Sequence, residues 1–312
     1  MKIVFMGTPD FAEKSLEDVY NARHEILAVV TNPDRPKGRG MKMVASPVKE
    51  FAVSKNLKIY QPEKVRKNVE FIEEIKKLEP DVICVVAYGK ILPKEILEIP
   101  KLGCINVHGS LLPKYRGAAP IQWAVINGEK VTGVTTMYMD VGMDTGDMIL
   151  KEKTEIAPDE TTGELWDRLA KIGADLLVKT LEQIENKTAP RIPQGEDFSM
   201  APMLDKEMSK IDWESKTAQE IKNLVRGLNP IMGTYAYLNG KKIKIWKVDV
   251  VEAYNENVKN GTVLKSDSKD GLYIKAKDGV IKVLEIQGEN AKRMNIQDFL
   301  RGNQIEVGNI FE

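Results

Sequence analysis

Leu102-Gly103-Cys104-Ile105-Asn106-Val107-His108 runs straight into Gly109-Ser110-Leu111-Leu112-Pro113-Lys114-Tyr115-Arg116-Gly117-Ala118-Ala119-Pro120. The apolar part reads as a strand. Side chains two apart on a strand share one face, so Asn106 and His108 point together at its carboxyl end. Open α/β sheets place their chemistry at that edge. Only two histidines, His24 and His108, occur in 312 residues. A histidine acting on protons therefore has two candidates, and His108 is the one beside polar partners.

Outward from this strand, apolar runs alternate with amphipathic segments, the pattern of parallel strands joined by helices. Strands are expected at 2–6, 25–31, 82–87, 104–108 and 133–139, and helices at 11–21, 47–55, 69–78 and 120–127. A long helix over 162–186, capped by Thr161 or Thr162 with Glu164, closes the unit. The fold class is α/β, with a doubly wound, Rossmann-like N-terminal domain. Gly7-Thr8-Pro9 after the first strand puts Thr and Pro where a dinucleotide site needs close-approach glycines, which argues against nicotinamide binding.

The length suits two domains. Pro190, Pro193, Gly195 and Pro202 interrupt periodicity between Thr188 and Asp205, marking a linker. The division expected is 1–188, a linker at 189–205, and 206–312. After a helix at 218–228 come short alternating runs at 234–238, 242–250, 261–266, 272–276 and 280–287. They are punctuated by Asn239-Gly240, Asn260-Gly261, Asp270-Gly271 and Asp278-Gly279, which are hairpin signals. A small antiparallel OB-like barrel is expected there.

Composition narrows the class. Charged residues are 29% and hydrophobic ones 42%, as in soluble globular proteins. The apolar start is too short for a signal peptide, and no later run reaches spanning length, so a cytoplasmic protein without membrane contact is expected. Cys84 and Cys104 fall in buried strands, where reduced cysteine acts as a small hydrophobe. Two histidines and two isolated cysteines do not assemble the usual zinc sets, so no metal is expected. Net charge is zero, but residues 206–312 carry 18 basic against 15 acidic side chains.

A second polar stretch, Met139-Asp140-Val141-Gly142-Met143-Asp144-Thr145-Gly146-Asp147, follows the strand at 133–139. Its aspartates equally suit plain turn formation. Converging with Asn106 and His108, a carboxylate completes a set suited to attack by an amine on a carbonyl. Such chemistry needs a donor for the oxyanion and a group that moves the amine's proton to the leaving nitrogen.

Gly7-Thr8-Pro9-Asp10-Phe11-Ala12, Asn106-Val107-His108-Gly109-Ser110-Leu111-Leu112-Pro113, Tyr115-Arg116-Gly117-Ala118-Ala119-Pro120-Ile121 and Asp144-Thr145-Gly146 together resemble the methionyl-tRNA formyltransferase family, over essentially the full length. The Asn, His, Ser-Leu-Leu-Pro and Asp-Thr-Gly elements are common to enzymes that take formyl from 10-formyltetrahydrofolate, and specify the acceptor weakly. The resemblance implies Asn106, His108 and Asp144 as catalytic residues. It implies a folate pocket lined by Tyr88, Gly89, Ile91, Leu92, Ser110, Leu111, Leu112 and Pro113, although Tyr88 and Leu92 suit a plain core as well.

The stretch Thr31 to Lys42, with Arg35, Lys37, Arg39 and Lys42, resembles that family's long basic loop. The resemblance implies contact with the tRNA acceptor end; composition alone also fits a solvated loop. Lys241, Lys242 and Lys244 cluster on one expected hairpin of the C-terminal domain, where the family makes nonspecific tRNA contacts, and where edge-strand lysines also protect against aggregation.

The expected reaction is formyl transfer to methionyl-tRNA, with tetrahydrofolate as the other product and a monomer as the default state. Rivals are a formyltransferase acting on a sugar nucleotide amine or glycinamide ribonucleotide, a hydrolase deformylating the folate, and a noncatalytic RNA-binding protein on the same scaffold.

Overall fold

The computed structural model describes residues 1–37, 40–251 and 257–312. The chain divides into two compact units, Met1–Pro120 with Val131–Glu155 and Trp166–Pro202, and Ile121–Lys130 with Ile156–Leu165 and Met203–Glu312.

In chain order the first fifteen elements are β1 (Lys2–Gly7), α1 (Asp10–Asn21), β2 (Glu25–Val30), β3 (Arg35–Lys37), β4 (Lys42–Val44), α2 (Pro47–Ser54), β5 (Ile59–Tyr60), α3 (Val69–Lys77), β6 (Val82–Val86), α4 (Lys94–Leu97), β7 (Cys104–His108), α5 (Pro120–Ile126), β8 (Val131–Tyr138), β9 (Met148–Glu155) and α6 (Thr162–Glu185). Seven strands form the first unit's sheet in the order β5-β2-β1-β6-β7-β8-β9. Strands β5, β2, β1, β6 and β7 pair in parallel. Every residue of β6 is buried, as expected of a strand covered on both faces, which is why it reads as one apolar run. Cys84 and Cys104 are free and buried, and burial pushes the Cys104 thiol up to about 12.

Helix starts are specified locally. Ser46 Oγ accepts from Lys49 N–H ahead of α2, and Asn68 Oδ1 accepts from Phe71 N–H ahead of α3. Thr161 and Glu164 form a reciprocal cap at the start of α6.

The sheet departs from an all-parallel expectation on one side. β8 runs antiparallel to β7, with Asn106 opposite Met137 and His108 opposite Thr135. The helix in that connection, α5, clusters with the second unit, so it does not act as the crossover that a parallel pair requires. β9, which the sequence did not reveal, follows as an antiparallel edge strand. Its half Lys151-Glu152-Lys153-Thr154-Glu155 is largely exposed and charged, as edge strands often are. The expected basic loop is a short antiparallel hairpin of β3 and β4.

The second unit holds α7 (Ala218–Gly227), β10 (Thr234–Leu238), β11 (Lys241–Val251), β12 (Val263–Asp267), β13 (Gly271–Lys275), β14 (Val280–Gln287), β15 (Met294–Asn295) and α8 (Ile296–Gly302). The sheet order is β10-β11-β14-β13-β12, with β15 on β14. Residues at the end of the chain reach both edges: Phe311 bridges Leu238 and Ile310 bridges Thr262. Tyr237 and Glu312 exchange two backbone hydrogen bonds, and Phe311 N–H donates to Gly261. This pairing covers both sheet edges and gives the barrel expected from the hairpin signals. Its core gathers Trp213, Ile221, Ile245, Ile274, Val283, Ile286 and Phe311.

Candidate active site

His108 closes β7 and is 5% exposed. Its Nε2 lies 2.8 Å from the carbonyl oxygen of Tyr115. A carbonyl only accepts, so Nε2 carries a proton, and Nδ1 is the nitrogen turned away from this contact. Nδ1 faces Asp144, 3.7 Å from Oδ2. That is an ion-pair separation, longer than a hydrogen bond. Asn106 Nδ2 stands 3.4 Å from Asp144 Oδ1, a long contact that leaves the amide free to turn to a better acceptor. Amide, imidazole and carboxylate thus converge, as expected from two separate stretches of chain.

The route by which Asp144 arrives differs from two strand ends pointing the same way. Because β8 is antiparallel, its carboxyl end lies beside Ile105, at the far end of β7 from His108. Residues 139–147 must therefore fold back. Gly146 is pressed against the sheet, where an added β-carbon would sit 1.9 Å from the Tyr138 carbonyl oxygen. Asp140 Oδ1 accepts from Gly142 N–H at 2.9 Å and Thr145 Oγ1 at 2.6 Å, so this aspartate is a turn former. Asp144 itself adopts a left-handed backbone at φ 53°. Its Oδ2 accepts from Gly117 N–H at 2.9 Å.

The stretch 189–205 pairs with this unit through isolated bridges, Ile192 to Met148 and Met200 to Arg116. Gln194 Nε2 donates to the carbonyls of Asp144 and Gly146, both at 2.8 Å, while its Oε1 accepts from Arg116 Nε at 2.9 Å. Ser199 Oγ accepts from Tyr115 N–H at 2.9 Å, and its carbonyl accepts from Arg116 N–H at 2.8 Å. Sequence reasoning missed Gln194 and Ser199. They lie in an aperiodic segment, and their partners are roughly 50 to 80 positions away.

The residues expected around folate divide by what they present. Tyr88 and Leu92 are core side chains, packed with Val85, Ile96 and Cys104. Leu112 is packed with Met137 and Met148. Ser110 is fully buried, its hydroxyl donating to the Lys114 carbonyl at 2.6 Å. Ile91 is exposed, Leu111 and Pro113 are half-buried, and Ala87 and Gly89 are exposed residues with positive φ. This rim presents Ala87, Gly89 and Ile91 to solvent. The Tyr88 hydroxyl and Asn32 Oδ1 are buried without a hydrogen-bond partner among the described residues. Asn32 Nδ2 donates to Thr8 Oγ1 and to the Tyr88 carbonyl, both at 3.0 Å, tying the ends of β1 and β6 to that rim.

Among the residues expected at RNA, Arg35 and Lys42 are exposed on the β3–β4 hairpin, together with Met41 and Met43. Arg39 and the side chain of Lys37 lie outside the described residues. Lys49, beyond that stretch in α2, is paired with Asp34 at 2.7 Å. That pairing and a hydrogen bond from Gln61 hold the Asp34 carboxyl below its usual range. On the barrel, Lys241 is exposed at the β10–β11 turn. Lys242 lies 3.5 Å over the Tyr235 ring, which meets Tyr237 edge to face. Lys244 donates to the Met232 carbonyl at 3.0 Å and lies over Trp246, as does Arg293. Basic and aromatic groups share this outward face.

No group of His, Cys, Asp and Glu that could hold a metal ion occurs among the described residues. No helix among them is long and apolar enough to cross a membrane.

Comparison with known proteins places this geometry in a family. Residues 1–181 match the formyl transferase model, and residues 203–304 match the formyl transferase C-terminal domain model. A methionyl-tRNA formyltransferase of Acetivibrio thermocellus is 52% identical over 311 residues, 99% of either chain. One from Clostridioides difficile is 54% identical over 309 residues, again 99% of either chain. Among solved structures, HypX from Aquifex aeolicus in complex with tetrahydrofolic acid superposes with a TM-score of 0.66 at 16% identity. It covers 99% of this chain, which spans half of that longer one. With both family models matched in order and more than half of all residues shared with full-length relatives, the chain belongs to the formyl transferase family, in its methionyl-tRNA formyltransferase branch.

Proposed function

We propose that this enzyme transfers the formyl group of 10-formyltetrahydrofolate to the amino group of methionyl-tRNA, giving formylmethionyl-tRNA for translation initiation and releasing tetrahydrofolate. The observation that carries the reading is the convergence of Asn106, the Nδ1 edge of His108 and the carboxylate of Asp144 on one point.

The amine attacks the formyl carbon, and negative charge builds on the formyl oxygen. Asn106 Nδ2 donates to that oxygen. Nε2 is already committed to Tyr115, so His108 donates from Nδ1 as an imidazolium, with the Asp144 carboxylate opposite that charge. Asp144 takes the proton shed by the attacking nitrogen and passes it to the folate nitrogen as the carbon–nitrogen bond to the donor breaks. Preorganised donors of this kind each contribute roughly 10²- to 10³-fold to turnover.

Support for folate comes from the exposed residues Ala87, Gly89 and Ile91 after β6 and the half-buried Leu111 and Pro113 after the adjacent strand β7, strand ends that suit a flat heterocycle with donors and acceptors along its edge. The tetrahydrofolic acid bound by the HypX structure is consistent with it. Tyr88, Leu92, Ser110 and Leu112 shape that rim from beneath. The tRNA is held by Arg35, Lys37, Arg39 and Lys42 near the acceptor end, and by Lys241, Lys242 and Lys244 on the barrel. On this reading residues 1–188 carry the chemistry, 206–312 carry nonspecific tRNA contacts and 189–205 join them. The enzyme works in the cytoplasm as a monomer, without a metal.

The test is incubation with methionyl-tRNA and a formyl-labelled folate, followed by counting label on the aminoacyl ester. Label on the ester is expected. Free formate without it would point to a hydrolase and overturn the proposal.

A further inference from the structure

We propose that Gln194 is a positioning residue for formyl transfer, setting the Asp144 carboxylate against His108 by clamping the backbone that carries it. This rests on the role given to Asp144 above.

Both amide hydrogens of Gln194 are used, on the carbonyls of Asp144 and Gly146, and its oxygen is used by Arg116 Nε. The amide has one workable orientation, because a flip would set an acceptor against two carbonyls and a donor against a guanidinium. The carbonyls it holds lie in the second half of the nine-residue fold-back, in which Asp144 keeps a left-handed backbone at φ 53°. Non-glycine residues hold that conformation when their surroundings over-determine it. The hydrogen bonds of Gln194 go to two carbonyls and to Arg116, not to the imidazole or the carboxylate, so its effect passes through the main chain.

The same segment grips the other partner of the imidazole. Ser199 binds the Tyr115 and Arg116 N–H groups, and Ala201 N–H donates to the Arg116 carbonyl at 2.7 Å. The Tyr115 carbonyl holds His108 Nε2, and Gly117 N–H holds Asp144 Oδ2. Residues 194–201 thus fix the two loops that between them determine the 3.7 Å separation of His108 from Asp144. Arg116, stacked on Phe198 at 4.5 Å, orients Gln194 in turn.

The experiment compares wild type, Asp144→Asn, Gln194→Met and the double variant as purified full-length enzyme. It measures kcat and both KM values by label transfer, with melting temperature as a control for folding. Methionine keeps the length of Gln194 and removes its donors. Expected is a kcat loss of about 10- to 100-fold in Gln194→Met, as for an ångström-scale misplacement, with both KM values within about threefold. In the Asp144→Asn background the further loss should be under about twofold, because the clamp acts only through Asp144.

Wild-type kcat in a folded Gln194→Met enzyme overturns the proposal, as does an equal loss in both backgrounds. Should Gln194→Met fail to fold, Gln194→Glu is measured in its place: it keeps the acceptor for Arg116, lacks both donors, and is held to the same outcomes. Near-normal turnover in Asp144→Asn alone would instead remove Asp144 from the mechanism, a failure of the earlier reading that is distinct from failure of the clamp.

Discussion

Gly117→Ala strikes the junction between the two loops of the site. Gly117 has φ 122°, and an added β-carbon would lie 2.7 Å from the Ala201 carbonyl oxygen, which is backbone and cannot swing aside. Holding alanine in that conformation costs about 1–3 kcal/mol. For a folded body of this size each kcal/mol shifts melting by roughly 2–4 °C, so a drop of about 2–12 °C is expected with the protein still folded at 25 °C. Relief of the contact moves the Gly117 N–H away from Asp144 Oδ2, now 2.9 Å away. A hydrogen bond to a charged group contributes about 1.5–3 kcal/mol. If that support is needed in the transition state, kcat falls by roughly 10- to 150-fold. Label transfer under saturating substrates measures kcat, and thermal melting measures the fold. A melting temperature lowered as stated, with kcat within about threefold of wild type, would refute the link between this amide and the chemistry.

Other expectations are simpler to state. Asn106→Ala and His108→Ala should each fold and lose ~10²- to 10³-fold in kcat; a purified variant with near-normal turnover removes that residue from the mechanism. The double variant Arg35→Ala/Lys42→Ala should raise KM for methionyl-tRNA and flatten its dependence on salt, leaving KM for the formyl donor unchanged; a salt slope equal to wild type would speak against phosphate contacts there. Lys222 pairs with Asp249 at 2.9 Å, and this hydrogen bond lowers the Asp249 carboxyl. A depressed carboxyl contributes stability above its unfolded pKa, near 4, and loses it as pH falls through the folded value. Lys222→Met should therefore melt lower than wild type at pH 7, with the difference shrinking as pH falls below about 4 toward the folded value; a difference that stays constant until the carboxyl is fully protonated would be the contrary result.

Much of the site was legible because strand periodicity is local. The i, i+2 spacing of Asn106 and His108, and the apolar run that carries them, follow from six or seven residues. Direction is not local. A strand reads the same forwards and backwards, so the antiparallel turn of β8 could not be seen, and Asp144 comes to His108 through the fold-back of residues 139–147 and not from a second strand end pointing the same way. The charged exterior of β9 hid an edge strand, and Pro36 with two three-residue strands hid the β3–β4 hairpin. Which nitrogen of His108 faces Asp144 was also beyond reach, since it is decided by the Tyr115 carbonyl in a loop without periodicity. The barrel was visible through Asn239-Gly240, Asp270-Gly271 and Asp278-Gly279, which turn between paired strands, whereas Asn260-Gly261 joins no hairpin among the described residues and the closure by residues 310–311 depends on pairing across the chain.

Arg226 has a consequence for cutting this protein apart. Its guanidinium is buried and donates to the carbonyls of Val125, Ala157 and Glu160, and Thr162 donates to the Gly227 carbonyl. Residues 121–130 and 156–165 therefore depend on a helix that is synthesised some sixty to a hundred positions later. A stop codon placed at residue 203 would strand those two inserts with open carbonyls and an uncovered Ile126, so the amino-terminal product should misfold or aggregate. Swapping tails between relatives by a single crossover would fail for the same reason unless both inserts travelled with the tail.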